Sequence, residues 1–312
     1  MTPVGFIEGP GPWLALALVT VGLLLVDAKV FAPGRTPTFR EGVVWSVGWL
    51  GLALLVAPLV WLLSSADDAV TYTTVYFVER SLSLDNLFVF LLLFSYFAVP
   101  EQHRANLLFW GIVAALALRG LAILGGVALI ERFHFVIYVL GALLLLLAWR
   151  ILRGVEENVH PDRNLMVRAL RKVLPVADRF DGPHWFTRVD GHRAATPMFV
   201  CLVAIVAADI AFAVDSIPAA FAITRDSVLI WMGNIFALLG LRALFVLVEG
   251  LIRRFRYLDE TIAVVLALVA VKLLLEDTYK VSHVTSLAVV ALAFTIGIVA
   301  SLIGDRRAAR VR

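Results

Sequence analysis

Only one cysteine, Cys201, stands among 312 residues, so the chain can close no internal disulfide and can build no thiolate metal cluster by itself. It lies within an apolar run, where a small buried hydrophobe accounts for it. Charge is scarce as well. Asp, Glu, Lys and Arg make up 16% of the residues against 61% hydrophobic types, and the mean hydropathy is +0.92. A chain of this composition cannot enclose its apolar surface in one water-soluble core. Also missing are a lysine or arginine ahead of the first apolar run and a small-residue cleavage site behind it, so that run reads as a retained helix rather than a removed signal. The net charge of +3 and the pI near 9.2 do not point to nucleic acid, because the basic residues lie in short segments between apolar runs.

What is present is an all-α polytopic membrane protein written as nine apolar runs. They lie at about 12–28, 43–63, 74–98, 106–130, 135–152, 197–223, 228–249, 258–276 and 284–303, each long enough to cross a bilayer as a helix. The whole chain, 1–312, reads as a single transmembrane domain. With the N-terminus outside, twenty Lys and Arg fall on the inner side and three (Arg132, Arg225, Lys280) on the outer side. The positive-inside rule therefore orients the chain with the N-terminus out and the C-terminus in; the expected location is a bacterial inner (plasma) membrane. The long polar segment 153–196 is then cytoplasmic. Its middle, LMVRALRKVL, has the pattern of a helix lying on the membrane lipid surface. His160, His184 and His192 in this loop lack metal-binding spacing and read as solvated.

A duplication crosses the loop. GIVAALALRGLAILGGVALIERF from Gly111 aligns with GNIFALLGLRALFVLVEGLIRRF from Gly233, each opening with Gly, carrying a mid-span Arg and closing with Phe. The register persists: Phe133 precedes Arg150 by 17 residues, and Phe255 precedes Lys272 by 17. One acidic helix stands upstream of each unit. The repeat is thus three spans long, 3–5 (residues 74–152) against 6–8 (residues 197–276), and an odd count inverts the second copy in the membrane. Inverted 3+3 repeats around polar midplane residues are a transporter architecture.

The acidic helices hold paired carboxylates, Glu79 and Asp85 in span 3, Asp209 and Asp215 in span 6, six residues apart in both. A charge at the centre of a membrane helix costs about 2.5–3.5 kcal/mol, so packing alone does not select four of them. Six residues separate two side chains by about 9 Å along a helix and about 120° around it, so a shared face requires a local opening. Pro218 supplies a reason for one in span 6, near the Val214 carbonyl. The run Arg80-Ser81-Leu82-Ser83 suggests another in span 3. Ser81, Ser83, Asn86 and Ser216 would then join the carboxylates as oxygen donors.

Donors of oxygen alone suit Mn²⁺, Mg²⁺ or Ca²⁺ rather than Cu(I) or Zn(II), and the sign of the site disfavours anions. Protonatable carboxylates allow protons to compete with the metal, so proton-coupled transport is part of the expectation. No residues are arranged for catalysis, no prosthetic cofactor is called for, and the chain is not expected to be an enzyme. Arg80, Arg119 and Arg242 are candidate counter-ions or gating residues. The competing explanation is that these arginines and the carboxylates form a purely structural buried ion network. An aspartyl protease is disfavoured because neither Asp209 nor Asp215 lies in a Gly-x-Gly-Asp context.

ERSLSLDNLFVFLLLFSYFAVP, DIAFAVDSIPAAFAITRD, NIFALLGLRAL, LVDAKVF and WSVGWL together resemble the TerC/Alx family of integral membrane proteins across residues 12–303. The resemblance implies a helical transporter-like fold, manganese efflux as the activity, and a family name inherited from tellurium resistance. It implies intramembrane metal ligands at Glu79, Asp85, Asp209 and Asp215, with Asn86 and Ser216 beside them. It also implies an alternative role, as a membrane scaffold or metal-delivery factor for the biogenesis of exported or membrane proteins; protein partners stay open. One departure is Gly233-Asn234 where the family pattern has Ser-Asn, which weakens a hydroxyl role there and leaves Asn234 in place.

Overall fold

The computed structural model describes residues 10–31, 37–125, 135–152, 175–177, 180–189, 191–252, 257–275 and 283–311. Among these residues the chain forms ten helices and one hairpin. The elements are α1 (Pro10–Val30), α2 (Phe39–Leu63), α3 (Ala66–Tyr96), α4 (Glu101–Gly125), α5 (Phe135–Leu152), β1 (Phe186–Val189) and β2 (His192–Ala195). They continue with α6 (Pro197–Ile223), α7 (Ser227–Leu239), α8 (Leu241–Ile252), α9 (Leu258–Leu274) and α10 (His283–Val311). Each expected span is one helix, except that the seventh is divided into α7 and α8. Five stretches are long and apolar enough to cross a membrane unaided: Gly11–Val30, Phe39–Leu63, Glu101–Gly125, Pro197–Ile223 and Ser227–Gly250. The helix α3, with its three intramembrane charges, is not among them.

Helix starts follow from local chemistry. Thr38 caps α2 in a box with Glu41, and Ser65 caps α3 by accepting from the Asp68 N–H. Thr196 caps α6 ahead of Pro197, whose missing N–H is no loss in a first turn. Asp226 accepts from the Val228 and Leu229 N–H groups at the start of α7. Within the last part of segment 153–196 the sequence reading had no strands, yet β1 and β2 pair in register Phe186↔Ala195 to Val189↔His192. Gly191 turns the hairpin at φ +80°, a conformation open to a residue without Cβ. The Thr196 hydroxyl donates to the His184 carbonyl at 2.8 Å, which ties the hairpin to the start of α6. LMVRALRKVL and His160 lie outside the described residues.

The central helix is α3, which packs against α2, α6 and α7 and touches α8, α9 and α10. Its second half, from Leu87 to Phe94, is buried throughout. Leu14, Leu18, Leu55 and Leu62 on the outer helices are exposed, the orientation expected for side chains that meet lipid. Two close approaches fix the centre. At Gly233 of α7 an added Cβ would lie 2.6 Å from Val75 Cγ1 of α3; at Gly111 of α4 it would lie 2.8 Å from Ile205 Cγ2 of α6. Tyr72 joins α3 to α2 by donating to the Ala53 carbonyl at 2.9 Å, and it packs edge-on to Phe236 of α7.

The openings expected in spans 3 and 6 are not there. The helix α3 runs unbroken through Arg80–Ser83, where Ser81 donates back to the Phe77 carbonyl at 2.8 Å and so satisfies its hydroxyl inside the helix. The helix α6 runs through Pro218, which removes one hydrogen bond near its end without dividing it. The break falls at Gly240 instead. There Arg80 of α3 donates to the Ala237 carbonyl at 2.8 Å, and a Cβ on Gly240 would stand 2.7 Å from Arg80 Nη1. A guanidinium from a neighbouring helix thus caps the end of α7 in place of water.

Candidate cation site

On α3, Glu79, Ser83 and Asn86 stand at i, i+4 and i+7, one above another on a single face, and each is 1% exposed. On α6, Asp209 and Ser216 are likewise seven residues apart and 1% exposed. Two turns of helix therefore align each stripe with no distortion, and the stripes face a common interior.

Arg119 of α4 enters between them. Its Nη1 donates to Glu79 Oε2 at 2.6 Å, to Asn234 Oδ1 at 2.9 Å and to Ser216 Oγ at 3.3 Å. Its Nη2 donates to Asp209 Oδ1 at 3.2 Å and its Nε to Asp209 Oδ2 at 3.4 Å. Asn234 of α7 donates from Nδ2 to the Ile230 carbonyl at 3.1 Å, which holds its Oδ1 toward the arginine. One fully buried cation thus holds two fully buried carboxylates, in a medium where losing the cation leaves both of them uncompensated.

The polar groups are not all satisfied. Glu79 Oε1, Ser83 Oγ and Asn86 Nδ2 are buried and have no hydrogen-bond partner among the described residues. At Asn86 lies a cavity of about 20 Å³ lined also by Leu82, Phe212, Ser216, Val269, Lys272 and Leu273. Its size suits one water or one partly dehydrated ion.

Of the expected site residues, Glu79 and Asp209 meet on Arg119, and Asn86 and Ser216 meet at the cavity. Asp85 and Asp215 lie on the backbones of α3 and α6; their side chains fall outside the described residues. No group of three His, Cys, Asp or Glu converges among the described residues. The three arginines part company. Arg119 is a counter-ion of the site, Arg80 caps α7, and Arg242 lies elsewhere, donating to Asp27 Oδ2 at 2.6 Å and to the Phe31 carbonyl at 2.7 Å at the end of α1. Arg242 also stacks over the rings of Phe31 and Phe109. Counted from the opening glycines of the duplicated segments, Arg119 is the ninth residue and Arg242 the tenth. One residue turns a helical side chain by about 100°, enough to send the second arginine to a different partner.

Sequence reasoning missed Asp27 as an interior group and, though it placed Lys272 within a span, gave it no part in the site. Both were visible as charges within apolar runs. Asn234, held only as a residue left in place, is part of the cluster, and the hydroxyl there comes from Ser216 rather than from position 233.

Comparison with known proteins agrees with this architecture. The pattern of the integral membrane protein TerC family matches residues 64–309. An uncharacterized membrane protein of Myxococcus xanthus is 37% identical over 303 residues, covering 97% of this chain and 95% of its own length. Proteins described as putative membrane-bound redox modulator Alx are 36% identical in Salmonella typhi, over 92% of each chain, and 36% identical in Escherichia coli K12, over 89% of this chain and 90% of that one. No solved structure matches. Glu79, Arg119 and Asp209 all lie within the matched region, and the chain belongs to the TerC family of integral membrane proteins.

Proposed function

We propose that the protein is a divalent-cation transporter, not an enzyme, and that it exports manganese through the site between α3, α4, α6 and α7. The observation that carries this reading is Arg119, which holds Glu79 and Asp209 together while Glu79 Oε1 stays unpaired, with a small cavity two helical turns further along the same face of α3, at Asn86. The guanidinium is the counter-ion of the metal-free site. An arriving cation takes its place, exchanging two carboxylates and the neighbouring amide and hydroxyl oxygens for part of the ion's hydration shell. The oxygen donors favour a hard ion such as Mn²⁺, and release of metal against protons follows from the same carboxylates.

Alternating access is supported by the helix contacts. The duplicated glycines do the same job in each half: Gly233 receives Val75, four residues before Glu79, and Gly111 receives Ile205, four residues before Asp209. The pairing of α7 with α3 thus corresponds to that of α4 with α6, as an inverted repeat requires. The relatives' printed description as redox modulators fits a redox-active transported ion better than thiol chemistry, because the single cysteine here is fully buried.

The test is flux in liposomes containing the purified protein, with Mn²⁺, Mg²⁺ and Ca²⁺ supplied separately. Mn²⁺ is expected to cross fastest; protein-free rates for all three ions would end the transport reading and favour the scaffold or metal-delivery role. Orientation is tested separately. Reporter fusions at residues 68 and 170 are expected to read outside and inside, and an external reporter at 170 would invert the topology.

A further inference from the structure

The β1–β2 hairpin sets two arginines against each other. Arg188 of β1 and Arg193 of β2 are directly opposite in the antiparallel register, and both are exposed. Opposed residues bring their Cβ atoms within about 4.5–5.5 Å, where like charges repel and weaken the strand pair. Among the described residues neither arginine has an ion-pair or hydrogen-bond partner. Asp181 shares their pocket but is engaged otherwise: its Oδ2 accepts from the Thr187 hydroxyl at 2.7 Å, and its Oδ1 lies 4.0 Å from His184 Nδ1. An anion between the two guanidinium groups would turn their repulsion into charge-assisted hydrogen bonds.

The face that carries them is turned to a membrane helix. Strand alternation puts Phe186 and Ala195 on the same side as Arg188 and Arg193. The Phe186 ring packs on that of Phe199, in the first turn of α6, with centroids 4.8 Å apart, and is still 54% exposed. The helix α6 begins two residues after β2 ends and is one of the stretches able to cross a membrane. Two further bonds hold the hairpin there, from the Thr196 N–H to the Trp185 carbonyl at 2.9 Å and from the Ala195 N–H to the Pro175 carbonyl at 2.8 Å. Arg188, two residues beyond Phe186, stands about 7 Å farther from the start of α6. That is about the thickness of one headgroup layer. An open cavity of about 680 Å³ lies on this face, lined by Phe186, Arg188, Arg193 and Ala195 together with Asp181 and His184.

We propose that this face is a lipid site, in which Arg188 and Arg193 hold the phosphate of an anionic phospholipid headgroup while Phe186 rests at the boundary with the acyl chains. The guanidinium forks match phosphate oxygens, and a basic group beside an exposed aromatic is the pairing by which surface elements bind anionic membranes. A lipid held there fixes the depth at which α6, the helix of Asp209, enters the bilayer.

The experiment titrates the full-length protein in detergent with phosphatidylglycerol, phosphatidylcholine or inorganic phosphate, reading bound lipid by native mass spectrometry and stability by thermal melting. Wild-type protein should bind phosphatidylglycerol well ahead of phosphatidylcholine. Arg188→Gln and Arg193→Gln should each weaken that binding by about fivefold, and the double variant by about thirtyfold. The double variant with lysine at both positions keeps the charges and should retain most of the binding. Folded yield should hold in all of them, because removing one of two opposed like charges relieves the hairpin. Equal binding of the two lipids overturns the proposal, as does a double Gln variant that binds phosphatidylglycerol like wild type. Neutral variants that fail to fold would make the arginines structural and overturn it too. Inorganic phosphate that stabilises the protein as strongly as the lipid would make this a site for a free anion, and the lipid assignment would fall.

Discussion

Asp209→Asn and Glu79→Gln should each cut Mn²⁺ flux by about a hundredfold or more, because each deletes an anionic oxygen that a hard divalent ion needs in exchange for its water. Folded yield should stay close to wild type. Arg119 has two carboxylates as partners, so either variant still leaves it one, and the amide keeps the volume and one carbonyl oxygen of the group it replaces. This separates a binding site from a packing device: a structural network loses stability when a member is neutralised, whereas a transport site loses turnover. Flux in liposomes and manganese tolerance in cells would be measured together, with protein level checked by immunoblot. Asp85→Asn belongs in the same series as the second carboxylate of α3. Wild-type flux in both Asp209→Asn and Glu79→Gln would return the cluster to the role of a buried ion network.

The opposite substitution should behave in the opposite way. Arg119→Gln leaves Glu79 and Asp209 buried together without a cation, a loss of about 3–5 kcal/mol by analogy with other broken buried pairs. Thermal stability and yield in detergent should drop sharply. Mn²⁺ should then restore the variant more than it raises wild type, because the ion supplies the missing charge without having to displace a guanidinium. A ligand at a hundred times its dissociation constant stabilises by about 2.7 kcal/mol, enough to recover much of the loss. Arg242→Gln is the control, since its partner Asp27 stands apart from the cluster at the end of α1 and should gain nothing from metal. An Arg119→Gln protein whose melting temperature ignores Mn²⁺ would show that these carboxylates serve only the arginine.

Much of this architecture is legible in the chain because a bilayer imposes simple rules. Apolar runs of spanning length mark the helices, and carboxylates inside them are too costly to escape notice, so Glu79 and Asp209 stand out without coordinates. The way in which they align was misread for a physical reason. Attention to the six-residue carboxylate pairs demanded bent helices, whereas the stripes Glu79–Asn86 and Asp209–Ser216 repeat at seven residues and need none. The break at Gly240 depends on Arg80, 157 residues upstream of the carbonyl that it caps, and the Arg242–Asp27 pair spans 215 residues. No local pattern encodes such distances. The hairpin was within reach: Asp190-Gly191 between FTRV and HRAA is a turn signal of the usual kind.

The continuity of α3 bears on how the chain enters the membrane at all. This helix carries Glu79, Arg80 and Asp85 within one span, three charges that are costly to place in lipid without partners. The groups that pair with its charges emerge from the ribosome later: Arg119 with the next helix, then the carbonyl that receives Arg80 only with α7, well over a hundred residues behind. The partners of α3 are therefore complete only once the helices of the second half have been made. A nascent chain stopped before residue 237 thus holds an arginine with no carbonyl to cap, and assembly of the central helix depends on both halves of the chain.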